Sequence, residues 1–320
     1  MDSYVFKTSN GATGCFQKND DVCYLYLDTT FWQVNKSFNW DSWVQHSAKY
    51  AHTLPETVLT DPVSKAVSYF IWQCHNEEVN PNIVELEKSI FQPGIYCKRI
   101  NRNSAGLFEV CRRGHSTIDE VRSYNNLMSS LNAIFNVIEP DKINENVYGH
   151  RIRETLTIAC TEVEYLLLQI LKNNGYDSRR YTTNDYVKVL PVLKLNEYSV
   201  ELKMHPSMGI FSPFSDWTAS TPTDSLIWYA SYNAAKHDRG GNFHKATLGA
   251  TINAIAAVHI LLEAQYGAKL FESFYSDYES CFQTRKCPTW TAGEIFAPLI
   301  EENEKISWTG TCDFFTQHNV

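Results

Sequence analysis

The sequence predicts an α+β protein. A small mixed α/β region fills residues 1–115, an all-α four-helix stretch follows over 116–270, and an irregular extension closes the chain over 271–320. Three observations carry this reading. Aromatic, partly alternating strand patterns concentrate in the first region. From residue 116 the apolar residues recur at helical spacing. Nowhere do strand and helix alternate with the regularity of a large parallel sheet.

The elements follow in order. DVCYLYLDTTFW (21–32) is aromatic-rich and reads as a strand. DPVSKAVSYFIWQCHNEE (61–78) reads as a helix, with Asp61 as N-cap and Pro62 at the first helical position. GIYCKRI (94–100) and GLFEVCRRG (106–114) flank a polar turn and read as a hairpin. In the next helix Ser116 is followed three residues later by Asp119, an acidic variant of a capping box, and Pro140 ends the segment. The helix over 147–173 closes at Gly175. A connecting region over 182–223 holds one short helix and a strand-like EYSVELKM. Thr223 is the expected cap of the third helix, which Gly240 and Gly241 break, and Asn242 the expected cap of the fourth, closed by Gly267.

Composition narrows the function classes. The chain has 320 residues, 43% of them hydrophobic and 20% charged, which is ordinary globular usage and argues against wholesale disorder. Its net charge of −8 gives no global attraction to nucleic acid or an anionic membrane, so such a contact needs a local basic patch. The N-terminus lacks signal-peptide order. The most apolar window, 246–264, contains Asn253, His259 and Glu263, and reads as a buried helix rather than a membrane span. Nine cysteines without a C-x-x-C pair point to reduced, mostly buried thiols in a cytoplasmic protein, with no zinc site. No cofactor or metal is expected.

On the 147–173 helix, Ile152, Leu156, Ala159, Val163, Leu167 and Ile170 form a core face. Nearly opposite lie His150, Glu154, Thr157, Thr161 and Glu164, with Arg153 at the border. Such a stripe is either a solvated face or a face turned to a partner helix or groove. Ile158 and Tyr165 flank it.

YNAAKHDRGGNFHKA (232–246) is the most chemically loaded stretch. Asn233, Lys236 and His237 share one helical face, while Arg239 turns toward Trp228, Tyr232 and Ala235 unless the glycines unwind the turn. Cations in a last helical turn favour the helix dipole, a sufficient structural reason for them. The alternative is chemistry. Metal-free RNA cleavage needs a base, an acid and a cation for the phosphorane charge, and histidine with arginine or lysine supplies these types. The glycines would let a phosphate approach, and free N–H groups after Asn242 would form an anion site at a helix start. No Ser-His-Asp motif, Walker loop or H-E-x-x-H zinc motif occurs.

Four helices with a polar cluster at the junction of the last two resemble HEPN domains, often metal-independent ribonucleases. Their signature is an arginine and, a short loop later, a histidine near the start of a late helix. Arg239-Gly240-Gly241-Asn242-Phe243-His244 has that form, with Gly240 where the family usually has a polar residue. YGHRIRETLTIACTEVE and YNAAKHDRGGNF also look like a bacterial group of HEPN-like proteins. The resemblance covers about 145–268 and says nothing of residues 1–115. It implies a ribonuclease, a toxin or defence effector, whose site forms across a homodimer on RNA. His237 or His244 would be the base or acid, Arg239 and Lys236 would hold phosphate, and Asn233 would orient. His150, Arg153 and Glu154 would complete the site by binding. A non-catalytic binding or regulatory module, with the cluster structural or holding a small anion, is the other reading.

The smaller clusters read as structure. CRRGH (111–115) is a solvated turn, CHNEE (74–78) lacks a second ligand group, and His259 is a satisfied core histidine. KNNGYDSRRY (172–181) sets Lys172, Arg179 and Arg180 beside Tyr176 and Tyr181, a composition that can also stack bases.

Overall fold

The computed structural model describes residues 2–19, 22–27, 34–50, 61–75, 82–102, 115–271 and 279–318. In chain order its elements are β1 (Asp2–Thr8), β2 (Thr13–Lys18), β3 (Val22–Leu27), β4 (Val34–Phe38), α1 (Trp40–Tyr50), α2 (Pro62–His75), β5 (Ile83–Lys88), β6 (Ile95–Cys97), α3 (His115–Phe135) and α4 (His150–Asn173). Then come α5 (Thr183–Tyr186), α6 (Val189–Leu193), β7 (Ser199–Leu202), β8 (Ile210–Phe211), α7 (Ile227–His237), α8 (Arg239–Asn242) and α9 (Leu248–Tyr266). The last elements are β9 (Phe282–Lys286), β10 (Leu299–Ile300), β11 (Ile306–Ser307), β12 (Gly310–Cys312) and α10 (Phe314–His318). The fold is mixed α/β, as expected.

The chain forms two compact units that differ from the three consecutive stretches expected. The first gathers residues 1–96, 102–110 and 289–312; the second gathers 97–101, 111–288 and 313–320. Much of the supposed extension therefore belongs to the first unit. Its aromatic, broken pattern is that of a strap laid on a sheet.

The sheet of the first unit is antiparallel, in the order β4-β3-β2-β1-β5. Side chains alternate across a strand. Phe6, Phe16, Leu25 and Leu27 point to one face, where Trp40, Ala66, Val67, Phe70 and Ile71 of α1 and α2 cover them. Val5, Cys15, Tyr24 and Tyr26 point to the other, covered by Ala292, Ile295, Ala297 and Ile300. Two covered faces explain why 22–27 reads as a nearly unbroken apolar run. Gly14 lies opposite Phe6, and a Cβ there would run into the Phe6 ring. The strap is pinned by polar groups. Gln17, with 0% exposure, donates to the Pro298 carbonyl at 2.6 Å and accepts from the Ile300 N–H at 3.0 Å. Glu85 accepts from the Ala292 N–H and Glu87 from the Gly293 N–H.

In the second unit α3, α4, α7 and α9 pack on one another, with α4 and α9 in closest association. β8-β7-β9 adds a small sheet beside α9. Among the described residues α9 is the one helix long and apolar enough to cross a membrane, and it is mostly buried within the fold. The EYSVELKM strand is present as β7.

Several expected caps are placed differently. Asp61 does cap α2, accepting from Val63 N–H at 3.1 Å and Ser64 N–H at 3.0 Å. α4 ends at Asn173, and Gly175 follows at φ +77°, with Tyr176 N–H bonded back to the Leu171 carbonyl. α3 starts at His115, so Ser116 lies inside its first turn and Asp119 instead pairs with Arg122 at 3.1 Å. Thr223 does not cap α7: its hydroxyl bonds that of Thr183 at 2.7 Å, and the helix starts after Leu226. The connecting region holds α5 and α6 as well as 3-10 turns, rather than a single short helix. The second arm of the expected 94–114 hairpin lies outside the described residues, as do most of CRRGH and of CHNEE. Cys97 and Cys312 each belong to a disulfide, which corrects the expectation of reduced thiols.

Replacing Gln17 by Ala strands a buried carbonyl and a buried N–H of the strap. The expected loss is about 2–4 kcal/mol of stability. Urea unfolding should show a lower midpoint at unchanged slope. A loss below about 1 kcal/mol would mean that the strap holds without Gln17.

Candidate functional site

The 232–246 stretch folds as three short pieces instead of one broken helix. α7 ends at His237, and Asp238 leaves the helical region at φ −135°, ψ 81°. α8 is a single turn holding both glycines, and a 3-10 turn over Phe243–Lys245 leads to α9. The break therefore falls at Asp238, before the glycines. Asp238 caps the turn that follows: its carboxylate accepts from the Gly241 N–H at 3.1 Å and from the Asn242 side chain at 3.3 Å. A Cβ on Gly241 would lie 2.7 Å from that carboxylate. This close approach is what the glycine provides. Sequence reasoning passed over Asp238, although Asp is a favoured N-cap type.

The fourth helix is capped by Thr247, whose hydroxyl accepts from the Ala250 N–H at 3.2 Å, and not by Asn242. The Leu248 and Gly249 N–H groups bond the Val147 and Glu145 carbonyls at 2.8 and 2.9 Å. The first three amides of α9 are thus occupied. The anion site expected at this helix start is not formed, because the chain just before α4 reaches it first. A short antiparallel bridge, Tyr148 to Thr247, completes that seam.

The expected site residues separate into groups. Lys236 donates to the Tyr232 hydroxyl at 2.9 Å, over the ring of the same tyrosine at 5.0 Å. His237, Arg239 and His244 are exposed, and Asn233 is half-buried. The His150 ring lies 4.8 Å from that of Phe243, and the Tyr148 ring lies edge-on to Phe243 at 5.7 Å and to His244 at 6.5 Å. Phe243 therefore joins the start of α4 to the 3-10 turn. Among the described residues no hydrogen bond or ion pair links His237, Arg239 or His244 to His150, Arg153 or Glu154. Glu154 lies 4.0 Å from Arg151 across one helical turn. Arg153 is half-buried, and its Nε is buried without a hydrogen-bond partner.

The stripe on α4 is divided in use. Thr157 and Thr161 return their hydroxyls to the Arg153 and Thr157 carbonyls at 2.8 and 2.9 Å. Glu164 meets α7, accepting from the Tyr229 hydroxyl at 2.6 Å. Burial and the Glu164 carboxylate hold the Tyr229 phenol above its ordinary range. Close to this contact, burial pushes the Cys160 thiol up. One end of the stripe is thus solvated and the other faces a partner helix. The rings of KNNGYDSRRY are engaged by cations of the same unit: Lys172 over Tyr181 and Lys188 over Tyr176, each at 5.5 Å.

What remains accessible is a surface of cations around the hinge. Lys236, His237, Arg239, His244 and Lys245 are exposed, beside exposed His150 and Arg151 at the start of α4. Asp238 is turned onto its own backbone. No protein-family model matches the chain, and neither does any curated protein or solved structure.

Tyr229→Phe removes a hydrogen bond to a carboxylate at the α4–α7 seam. Stability should fall by about 1–2 kcal/mol, measured by chemical denaturation. An unchanged midpoint would show that Glu164 is solvated instead.

Proposed function

We propose that the helical unit is an HEPN-like four-helix module that binds RNA through the basic hinge at the end of α7. The observation that carries this reading is the exposed set Lys236, Arg239 and Lys245, with Arg151 at the start of the neighbouring helix, in a chain whose net charge is −8. Exposed cations interleaved with the rings of Tyr148 and Phe243 suit a single strand, where phosphates are neutralised and bases stack. Binding is favoured over cleavage within one chain, since no histidine here shares a hydrogen bond with a second acid, base or cation.

The binding test is fluorescence polarisation with a labelled single-stranded RNA over a salt series. Affinity should fall as salt rises, by about 0.7 in the logarithmic slope for each phosphate contacted. The double variant Arg239→Ala, Lys245→Ala should lose about tenfold in affinity and flatten the slope by about 1.4. Absence of binding by wild type, or a slope unchanged in the variant, would sink the reading.

The second reading is metal-independent cleavage of that RNA as a toxin or defence effector, favoured by the Arg239…His244 spacing and by the exposure of His237 and His244. Their lack of partners within one chain means that a homodimer would have to supply the second group. Incubation of RNA with the protein in EDTA tests it. Cleavage lost only in His244→Ala supports the arginine-histidine spacing, and cleavage lost only in His237→Ala transfers the role to α7. Intact RNA with wild type leaves a binding module.

A further inference from the structure

A second cluster, apart from the hinge, lines a cavity of about 1190 Å³ in the same unit. Three of its members are deeply buried: His259 at 1%, Ser280 at 4% and Glu263 at 6% exposure. The Tyr124 hydroxyl lies 2.6 Å from Ser280 Oγ and 3.4 Å from His259 Nδ1. Ser280 Oγ lies 2.9 Å from His259 Nδ1 and also accepts from the Phe282 N–H at 3.0 Å. On the other side of the ring, His259 Nε2 is 3.2 Å from Thr284 Oγ1 and 3.4 Å from Glu263 Oε1. Thr284 donates to Glu263 Oε2.

The buried Tyr124 hydroxyl is also hydrogen-bonded to the Cys281 side chain. Glu263 has two groups upon it, the Thr284 hydroxyl and His259 Nε2, and it lines the cavity.

A deeply buried carboxylate at the wall of a cavity favours a counter-charge in that cavity. At the exposed rim Lys203 and Glu279 oppose each other in sign, so Glu263 sets the charge of the floor. Each of its oxygens has one lone pair left beyond those taken by His259 and Thr284. Phe271, stacked on His259 at 4.6 Å, and Phe282 supply flat apolar wall. We infer that this cavity is a binding site for a small planar cation of the amidine or guanidine class, its paired N–H groups forked onto Glu263 and its flat body against Phe271 and Phe282. Paired donors of this kind match a carboxylate in bidentate geometry.

The probe is benzamidine, with neutral benzamide as its isostere, on the full chain by thermal shift and calorimetry. At ten times Kd benzamidine should raise the melting temperature by about 2–3 °C, and benzamide should not. Glu263→Gln should abolish the shift. Ser129→Trp, at an exposed rim position on α3, should abolish it while leaving the unliganded melting temperature unchanged, so it decides the matter if Glu263→Gln does not fold. An equal shift with benzamide, no shift at about 10 mM, or a benzamidine shift retained in Ser129→Trp overturns the proposal. None of these outcomes depends on RNA binding at the hinge.

Discussion

From Ala254 to Tyr266 every residue of α9 is buried, and three of them, His259, Glu263 and Gln265, are polar. A helix with no wet side must find a partner in the protein for each such group, because an unpaired one costs about 1–3 kcal/mol. The surrounding elements are arranged by that demand. Arg99 donates to Gln265 Oε1 at 2.8 Å and to Glu120 Oε1 at 2.7 Å, and Tyr266 donates to the other Glu120 oxygen at 2.7 Å. Nearer the N-terminus, Thr251 reaches the Ile152 carbonyl of α4 at 3.3 Å. His259 and Glu263 recruit Tyr124, Ser280 and Thr284 from α3 and the start of β9. Segments far apart in the chain are thus held to one helix by polar satisfaction as well as by apolar packing.

The same helix separates two chemical environments. Its N-terminal amides are closed by Thr247, Val147 and Glu145, so the hinge before it offers cations without helix-start donors. The hinge presents side-chain charge beside the rings of Tyr148 and Phe243. The cavity around His259 offers a different setting, a deeply buried carboxylate beside the rings of Phe271 and Phe282.

Legibility varied with the range of the interaction. The Asp61 cap and Pro62 start of α2 were readable, because a cap bonds amides two and three residues on. The core face of α4 was readable from period alone: Ile152, Leu156, Ala159, Val163, Leu167 and Ile170 are all buried. Thr223 and Asn242 were misplaced as caps because both are good capping types whose side chains are engaged elsewhere, Thr223 with Thr183 and Asn242 with Asp238. The strap over 289–312 read as irregular because its periodicity is set by the sheet beneath it, and Gln17 lies more than 280 residues from Ile300 in sequence. His259 and Glu263 were visible only as polar residues in an apolar window; Tyr124 and Ser280 were not singled out, for no local pattern connects them to that window.

By itself the sequence determined the helical periods, the basic composition of the hinge and the buried character of α9, since each depends on residues within a few turns of one another. Tertiary structure alone decided which carbonyls would close the start of α9, that His150 would meet Phe243 rather than Arg239, and that His259 would sit between a serine and a carboxylate. Those outcomes depend on which of several chemically adequate partners arrives first in space, and chain order carries no information about that choice.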